Sequence, residues 1–121
     1  MGSNPFQATL RRPSDSTAVI LELSRDIAGS AERALDQAYR DAVVGNPTKV
    51  VLNFVKVRYI NSTGIALVVG VLMRARNEQI VLTACGLSEH YREIFEITRL
   101  SEFMPVYADE MAALADEPAA A

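Results

Sequence analysis

The stretch TKVVLNFVKV, residues 48–57, places the tightest constraint on how this chain can fold. Apolar and β-branched side chains occupy both alternating sets of positions through most of it, as in a strand that is covered on both faces. A helix-like segment, Ser62 to about Asn77, follows it closely, and strand-like and helix-like segments alternate after that. Such alternation calls for parallel strands joined by right-handed crossovers. We therefore predict an α/β domain with residues 48–57 as a central strand.

The remaining segments complete a single domain. Two strands joined by the turn-like PSDS suggest an antiparallel hairpin at the N-terminal edge, and Ser30 and Ser88 are the expected N-caps of the first and third helices. The predicted order is β-β-α-β-α-β-α-β-α, which gives a mixed sheet with parallel central strands and about four helices. The predicted strands are residues 5–12, 17–23, 48–57, 79–85 and 103–108, the helices are residues 30–44, 62–77, 88–100 and 109–116, and the domain covers residues 5–116 between flexible ends at 1–4 and 117–121.

Composition and charge argue against several classes of function. The net charge is −3 and the twelve basic residues are scattered, whereas a nucleic-acid-binding domain usually carries a basic stripe, so no direct nucleic-acid binding is expected. No apolar run is long enough to cross a bilayer, so no membrane insertion is expected either. The single Cys85 cannot form an internal disulfide, and a reducing cytoplasm is the expected compartment.

The residues that enzymes need are missing from the likely functional rim. His90 is the only histidine and begins a different helix from Ser62, so no base is expected beside that hydroxyl. One Cys and one His cannot form a zinc site, and Cys85 is interpreted as a small buried hydrophobe. No glycine-rich phosphate loop is present. We expect no enzymatic activity, no metal and no cofactor.

The segment YINSTGIALVVG, residues 59–70, differs from the surrounding apolar sequence. Asn61, Ser62 and Thr63 interrupt two long apolar runs at the end of the central strand, where sites gather in open α/β sheets. The simple interpretation is that Asn61 or Ser62 caps the second helix. Capping needs only one polar residue, whereas this turn has three. Gly64 would also leave the backbone open to another molecule. The alternative is that Ser62 is a modifiable hydroxyl, with Thr63 as second choice, at which a phosphate controls binding.

The second helix carries more apolar surface than its own core requires. Nine consecutive residues, Ile65 to Met73, bear no charge, although a surface helix needs only one apolar stripe. Either neighbouring elements bury all of it, or part of it forms a docking face beside Ser62. The predicted contact residues are Asn61, Ser62, Thr63, Gly64, Ile65, Leu67 and Val68.

Two separated segments give the chain a resemblance to the STAS domain, the family of bacterial anti-sigma-factor antagonists. VVLNFVKVRYINSTGIALVVGVLMRAR is similar to the family's strand, Asp-Ser-Ser/Thr-Gly turn and apolar helix. LTACGLSEHYREIFEITRLSEFMPVYADEMAALA is similar to its Gly-Leu, Thr-Gly-Leu and Phe-x-x-Tyr segments. The resemblance covers about residues 5–116. It implies a STAS-like fold and places the family's phosphoacceptor on Ser62.

The resemblance also implies a function and partners. The unphosphorylated protein would bind an anti-sigma factor that is also a serine kinase of the histidine-kinase-like type, and so free a sigma factor. Phosphorylation would end the binding, and a serine phosphatase would restore it. A homodimer is also compatible with the resemblance.

Three positions depart from the family pattern. Asn61 replaces the Asp before the acceptor, Asn53 replaces the usual Asp of the preceding strand, and Arg99 replaces the Gly of the Thr-Gly-Leu segment. Amides still donate and accept hydrogen bonds, so capping and docking survive these changes.

Two other functions stay open from the sequence. STAS domains also serve as structural subunits, either of stress-sensing assemblies or as small partners of membrane lipid transporters. Alternatively, the turn at Ser62 could bind an anion or a nucleotide phosphate on its backbone amides.

Overall fold

The computed structural model describes residues 5–14 and 16–116, which form a five-stranded mixed sheet with helices on both faces. The predicted flexible ends, 1–4 and 117–121, lie outside the described residues. The strands are β1 (Gln7–Arg11), β2 (Ala18–Ile27), β3 (Lys49–Ile60), β4 (Val81–Cys85) and β5 (Val106–Tyr107), and the helices are α1 (Glu32–Ala42), α2 (Ser62–Asn77), α3 (Glu89–Ile97) and α4 (Glu110–Ala115).

The sheet topology confirms the predicted α/β class and element order. The strands lie in the order β1-β2-β3-β4-β5, with β1 antiparallel to β2 and every other neighbouring pair parallel. The predicted central strand is therefore the middle strand of the sheet. β3 is buried from Lys49 to Phe54, where it lies between β2 and β4, and becomes more exposed beyond that point.

Alternation along the strands separates two unequal cores. Leu21 of β2 and Leu52 of β3 point to the face that carries the main core, whereas Ile20 and Val51 point to the other face. The main core includes side chains from α1, α2 and α3. The smaller core combines Ile20, Val51 and Cys85 with Ala113 of α4.

The helix starts agree with the predicted caps in one of two cases. Ser88 caps α3, since its Oγ accepts a hydrogen bond from the Tyr91 N–H at 3.3 Å. Ser30 does not cap α1, and that prediction was wrong. The chain first forms a 3₁₀ turn over Gly29–Ala31, so α1 begins at Glu32 with Ala31 at the cap position and no side-chain cap.

A buried lysine holds α4 against the sheet. Lys49 is only 3% exposed, and its Nζ donates to the carbonyl oxygens of Ala113, at 2.6 Å, and Asp116. These carbonyls belong to the end of α4, where a cation also suits the helix dipole. None of the helices in the described part of the chain has the length and apolar character needed to span a membrane.

Candidate functional site

The candidate site lies where β3 ends and α2 begins. Asn61 is the N-cap of α2: its Oδ1 accepts a hydrogen bond from the Gly64 N–H at 2.8 Å. Its backbone N–H donates to the carbonyl oxygen of Ile27, the last residue of β2, at 3.2 Å. The start of α2 is therefore fixed at the carboxyl ends of two neighbouring parallel strands, which is the edge where sites gather in open α/β sheets.

Gly64 is required by the domain's own packing. It is buried, and a Cβ added there would lie 1.9 Å from the carbonyl oxygen of Ile27. The expectation that Gly64 leaves the backbone open to another molecule was therefore wrong. Sequence alone could not show that the end of β2 covers this turn.

Ser62 and Thr63 are both exposed to solvent. They are the first two residues of α2, where backbone N–H groups lack partners within the helix and the helix dipole is positive. An accessible hydroxyl at this position can accept a phosphate without a change of fold, because a helix N-terminus tolerates negative charge. The Ser62 hydroxyl is thus geometrically suited to the predicted modification.

The solvent-exposed face of α2 carries no charged residue over most of its length. The residues on it follow helical spacing, and Met73 is 58% exposed. We call this surface the α2 strip; it consists of Ser62, Thr63, Ala66, Val69, Gly70 and Met73.

Only some of the predicted contact residues can reach a partner. Asn61, Ile65 and Leu67 are half-buried at the edges of the α2 strip. Val68 is fully buried and packs in the main core, so its assignment to the contact surface was wrong. Ala66, Val69 and Met73 are exposed but were not among the predicted contact residues; projection of the helix at 3.6 residues per turn separates them from Val68.

The two glycines of α2 differ in what surrounds them. Gly70 lies on the exposed α2 strip, and a Cβ added there would meet no atom of the described residues within 4 Å beyond the local helix backbone. The fold gives no packing reason for glycine at this position, and glycine inside a helix is unfavourable. At Gly64, in contrast, any side chain collides with backbone.

The comparison with family models decides the family. A model of the STAS domain matches residues 9–113. The chain belongs to the STAS domain family.

Relatives and solved structures agree with this assignment. BtrV of Bordetella bronchiseptica, named as a candidate anti-sigma factor antagonist, is 37% identical over 67 residues. That match covers 55% of this chain and 58% of BtrV, so the chain spans less than two thirds of this curated relative.

Two solved structures share the fold. An anti-sigma factor antagonist from Mycobacterium paratuberculosis superposes with a TM-score of 0.75 at 18% identity, covering 92% of this chain and 95% of the other. The phosphorylated form of the Bacillus cell fate determinant SpoIIAA superposes with a TM-score of 0.66 at 20% identity, covering 88% and 96%.

Asn53, one of the departures from the STAS pattern, lies away from the exposed turn at Ser62. Its side chain is buried: the Nδ2 donates to Glu110 of α4, and the Oδ1 accepts from the Val55 N–H at 2.9 Å. Arg11 also pairs with Glu110, and these two hydrogen-bond donors lower the pKa of the Glu110 carboxyl. An amide suits this position, because an aspartate there would face the Glu110 carboxylate.

Arg99, another departure, occupies a backbone conformation that favours glycine. Its φ is 64°, in the left-handed region, just after α3. A non-glycine residue there costs roughly 1–2 kcal/mol. The chain thus places an exposed guanidinium at a position where glycine would be less strained.

Cys85 and His90 lie outside the exposed turn. Cys85 is buried under α4, and burial, together with the nearby Glu110 and Asp109, raises the pKa of its thiol to about 11. The thiol is therefore protonated at neutral pH, which agrees with its interpretation as a small hydrophobe. His90 is exposed at the start of α3, with its ring centroid 4.9 Å from that of Tyr91. In the described part of the chain, no group of three His, Cys, Asp or Glu side chains could hold a metal ion.

Proposed function

We propose that this STAS protein is an anti-sigma factor antagonist that binds an anti-sigma factor through the α2 strip and is released by phosphorylation of Ser62. The observation that carries the proposal is the position of the exposed Ser62 hydroxyl at the beginning of an exposed, uncharged helix face. The relatives named as anti-sigma factor antagonists support the choice of partner.

The switch follows from the cost of desolvating a charge. A phosphate on Ser62 adds about −1.5 to −2 charges at neutral pH. In the free protein, solvent and the positive end of α2 stabilise this charge. Under a docked apolar surface the phosphate would lose its water without a compensating partner, which costs about 3–5 kcal/mol. A penalty of this size lowers affinity by more than about 100-fold.

The expected partner is an anti-sigma factor with a histidine-kinase-like serine kinase domain, and a serine phosphatase would reset the switch. Asn61 can still position the acceptor turn, since its amide oxygen makes the capping hydrogen bond that an aspartate would make. Incubation with the candidate kinase and ATP, followed by intact mass measurement and peptide mapping, tests the acceptor. The phosphate should map to Ser62; its appearance on Thr63 alone would move the switch by one residue.

Binding by charge variants tests the mechanism. Ser62→Asp should weaken binding to the anti-sigma factor by more than about tenfold, measured by calorimetry, while the far-UV spectrum and melting temperature stay close to those of the wild type. Ser62→Ala should bind at least as well as the unmodified protein. Ser88→Asp is the matched control, because it adds the same charge at the start of α3, outside the α2 strip. Full affinity in Ser62→Asp would refute the proposal.

A further inference from the structure

A second apolar surface lies beside the α2 strip. An open groove of about 490 Å³ runs between α2 and the 3₁₀ turn Leu100–Glu102 that follows α3. It shares two residues with the α2 strip, so the two surfaces are continuous. The groove is lined by Ile65, Val69, Leu72, Met73, Thr98, Leu100 and Phe103, together with Arg76 and Arg99.

Part of the apolar lining of the groove is exposed to solvent. Met73 is 58% exposed and Phe103 is 53% exposed, although both line the groove. Large apolar side chains that remain exposed side by side indicate a surface that another molecule covers. A polypeptide segment that also contacts the α2 strip would cover them.

The charged side chains that line the groove are two arginines. Among the residues that the structure describes, only Arg76 and Arg99 are both charged and part of this lining, although the chain as a whole carries a net charge of −3. The Arg76 guanidinium lies 5.3 Å from the centroid of the Phe103 ring, which holds it at the edge of the groove. Among residues 5–14 and 16–116, no carboxylate lies within salt-bridge distance of Arg76.

Arg99 adds a second cation at a strained position. It lies in the left-handed region, and within the described part of the chain its guanidinium makes one ion pair, which is exposed and 3.5 Å long, with Glu102. Exposed pairs of this kind contribute little and exchange readily. The guanidinium therefore stays available to an anionic partner group.

We infer that the groove binds an acidic amphipathic helix of the anti-sigma factor, with apolar side chains in the groove and carboxylates facing Arg76 and Arg99. This inference rests on the proposed function and adds the chemistry of the partner's docking segment. From Ile65 to Arg76 the groove follows α2 for about 17 Å, at about 1.5 Å per residue. The expected segment is therefore about three helical turns long, with apolar residues at helical spacing.

Two synthetic peptides test the charge preference directly. Both carry leucines at the same helical spacing over about 14 residues; one has glutamates at the remaining positions and the other has lysines. Fluorescence anisotropy with the full chain, at about 50 mM NaCl, should show that the acidic peptide binds at least about tenfold more tightly than the basic one. Equal binding of the two peptides, or no binding of the acidic one, would overturn the inference.

Variants locate the binding site. Arg76→Glu should weaken binding of the acidic peptide by about three- to tenfold and strengthen binding of the basic peptide. Met73→Asp should weaken both. Arg58→Glu and Met111→Asp are the matched controls, since both residues are exposed but belong to β3 and α4, outside the groove. Unchanged binding in Arg76→Glu and Met73→Asp would refute this location.

Three further outcomes separate the hypotheses. If sodium laurate occupies the groove, followed through the Met73 methyl resonance, while the acidic peptide does not bind, the groove is a lipid site and the inference fails. If Ser62→Asp abolishes binding to the anti-sigma factor but Arg76→Glu leaves that affinity unchanged, the groove inference fails and the proposed function stands. If the acidic peptide binds with the expected selectivity but Ser62→Asp does not affect the anti-sigma factor, the groove inference stands and the switch fails.

Discussion

Replacing Gly70 with alanine should stabilise the fold and weaken partner binding at the same time. Gly70 lies in the middle of α2, and a Cβ added to it would occupy open space. Glycine inside a helix is less favourable than alanine by about 0.8–1.0 kcal/mol, so Gly70→Ala should raise the free energy of unfolding by about that amount. For a chain of 121 residues, this corresponds to a rise in melting temperature of roughly 3–6 °C.

Binding to the anti-sigma factor should change in the opposite direction. If the partner packs closely on the α2 strip at Gly70, an added methyl group overpacks the interface by about 1–3 kcal/mol, which corresponds to a loss of affinity of roughly five- to 150-fold. Differential scanning calorimetry measures the first effect and isothermal titration calorimetry the second. Gly64→Ala is the contrasting variant and should destabilise the protein, because its Cβ would collide with the Ile27 carbonyl.

Each of the two measurements on Gly70→Ala can refute part of the reasoning. A melting temperature that is unchanged or lower would show that the position is not open. A higher melting temperature with unchanged affinity would show that the partner does not pack on the α2 strip at Gly70.

Three further predictions follow from caps, strain and charge. Asn61→Ala should lower the free energy of unfolding by about 1 kcal/mol through loss of the N-cap hydrogen bond, measured by urea denaturation; no change would mean that this cap is dispensable. Arg99→Gly should raise the melting temperature, because it relieves roughly 1 kcal/mol of left-handed strain, and a lower melting temperature would contradict the conformation described here. The pKa of Glu110 is lowered in the folded state, so its stabilising contribution is complete above the ordinary carboxyl pKa and is lost as the pH falls through the lowered value. Glu110→Gln should therefore unfold more easily at neutral pH and depend less on pH in the acid range, whereas identical pH profiles for the two proteins would exclude this contribution.

The architecture was predictable because the local sequence signals agree with one another. The bounds of α2, Ser62–Asn77, match the prediction, since Asn61 provides a cap and the arginines of the last turn suit the helix end. The last strand was predicted over residues 103–108 but is only Val106–Tyr107. Phe103 ends a 3₁₀ turn instead, and Met104 donates its N–H to the Leu100 carbonyl oxygen. Short apolar runs of this kind fit a strand or a turn equally well from the sequence.

The candidate site was less predictable because its details depend on contacts between distant residues. Gly64 and Gly70 belong to the same predicted helix, yet a Cβ at one would meet the end of β2 and a Cβ at the other would meet open space. In the sequence, Asn53 stands where the STAS pattern has an acid. In the structure its side chain donates to Glu110, which lies 57 residues further along the chain. Tertiary packing determines the surroundings of the two glycines and the partner of Asn53, and no local sequence pattern predicts such packing.

The affinity of the anti-sigma factor for this protein before and after stoichiometric phosphorylation of Ser62 tests the central claim most directly. The account predicts that the phosphorylated protein keeps its circular dichroism spectrum and melting temperature but binds more than about 100-fold more weakly. Equal affinity of the two forms, with the phosphate verified on Ser62, would contradict it.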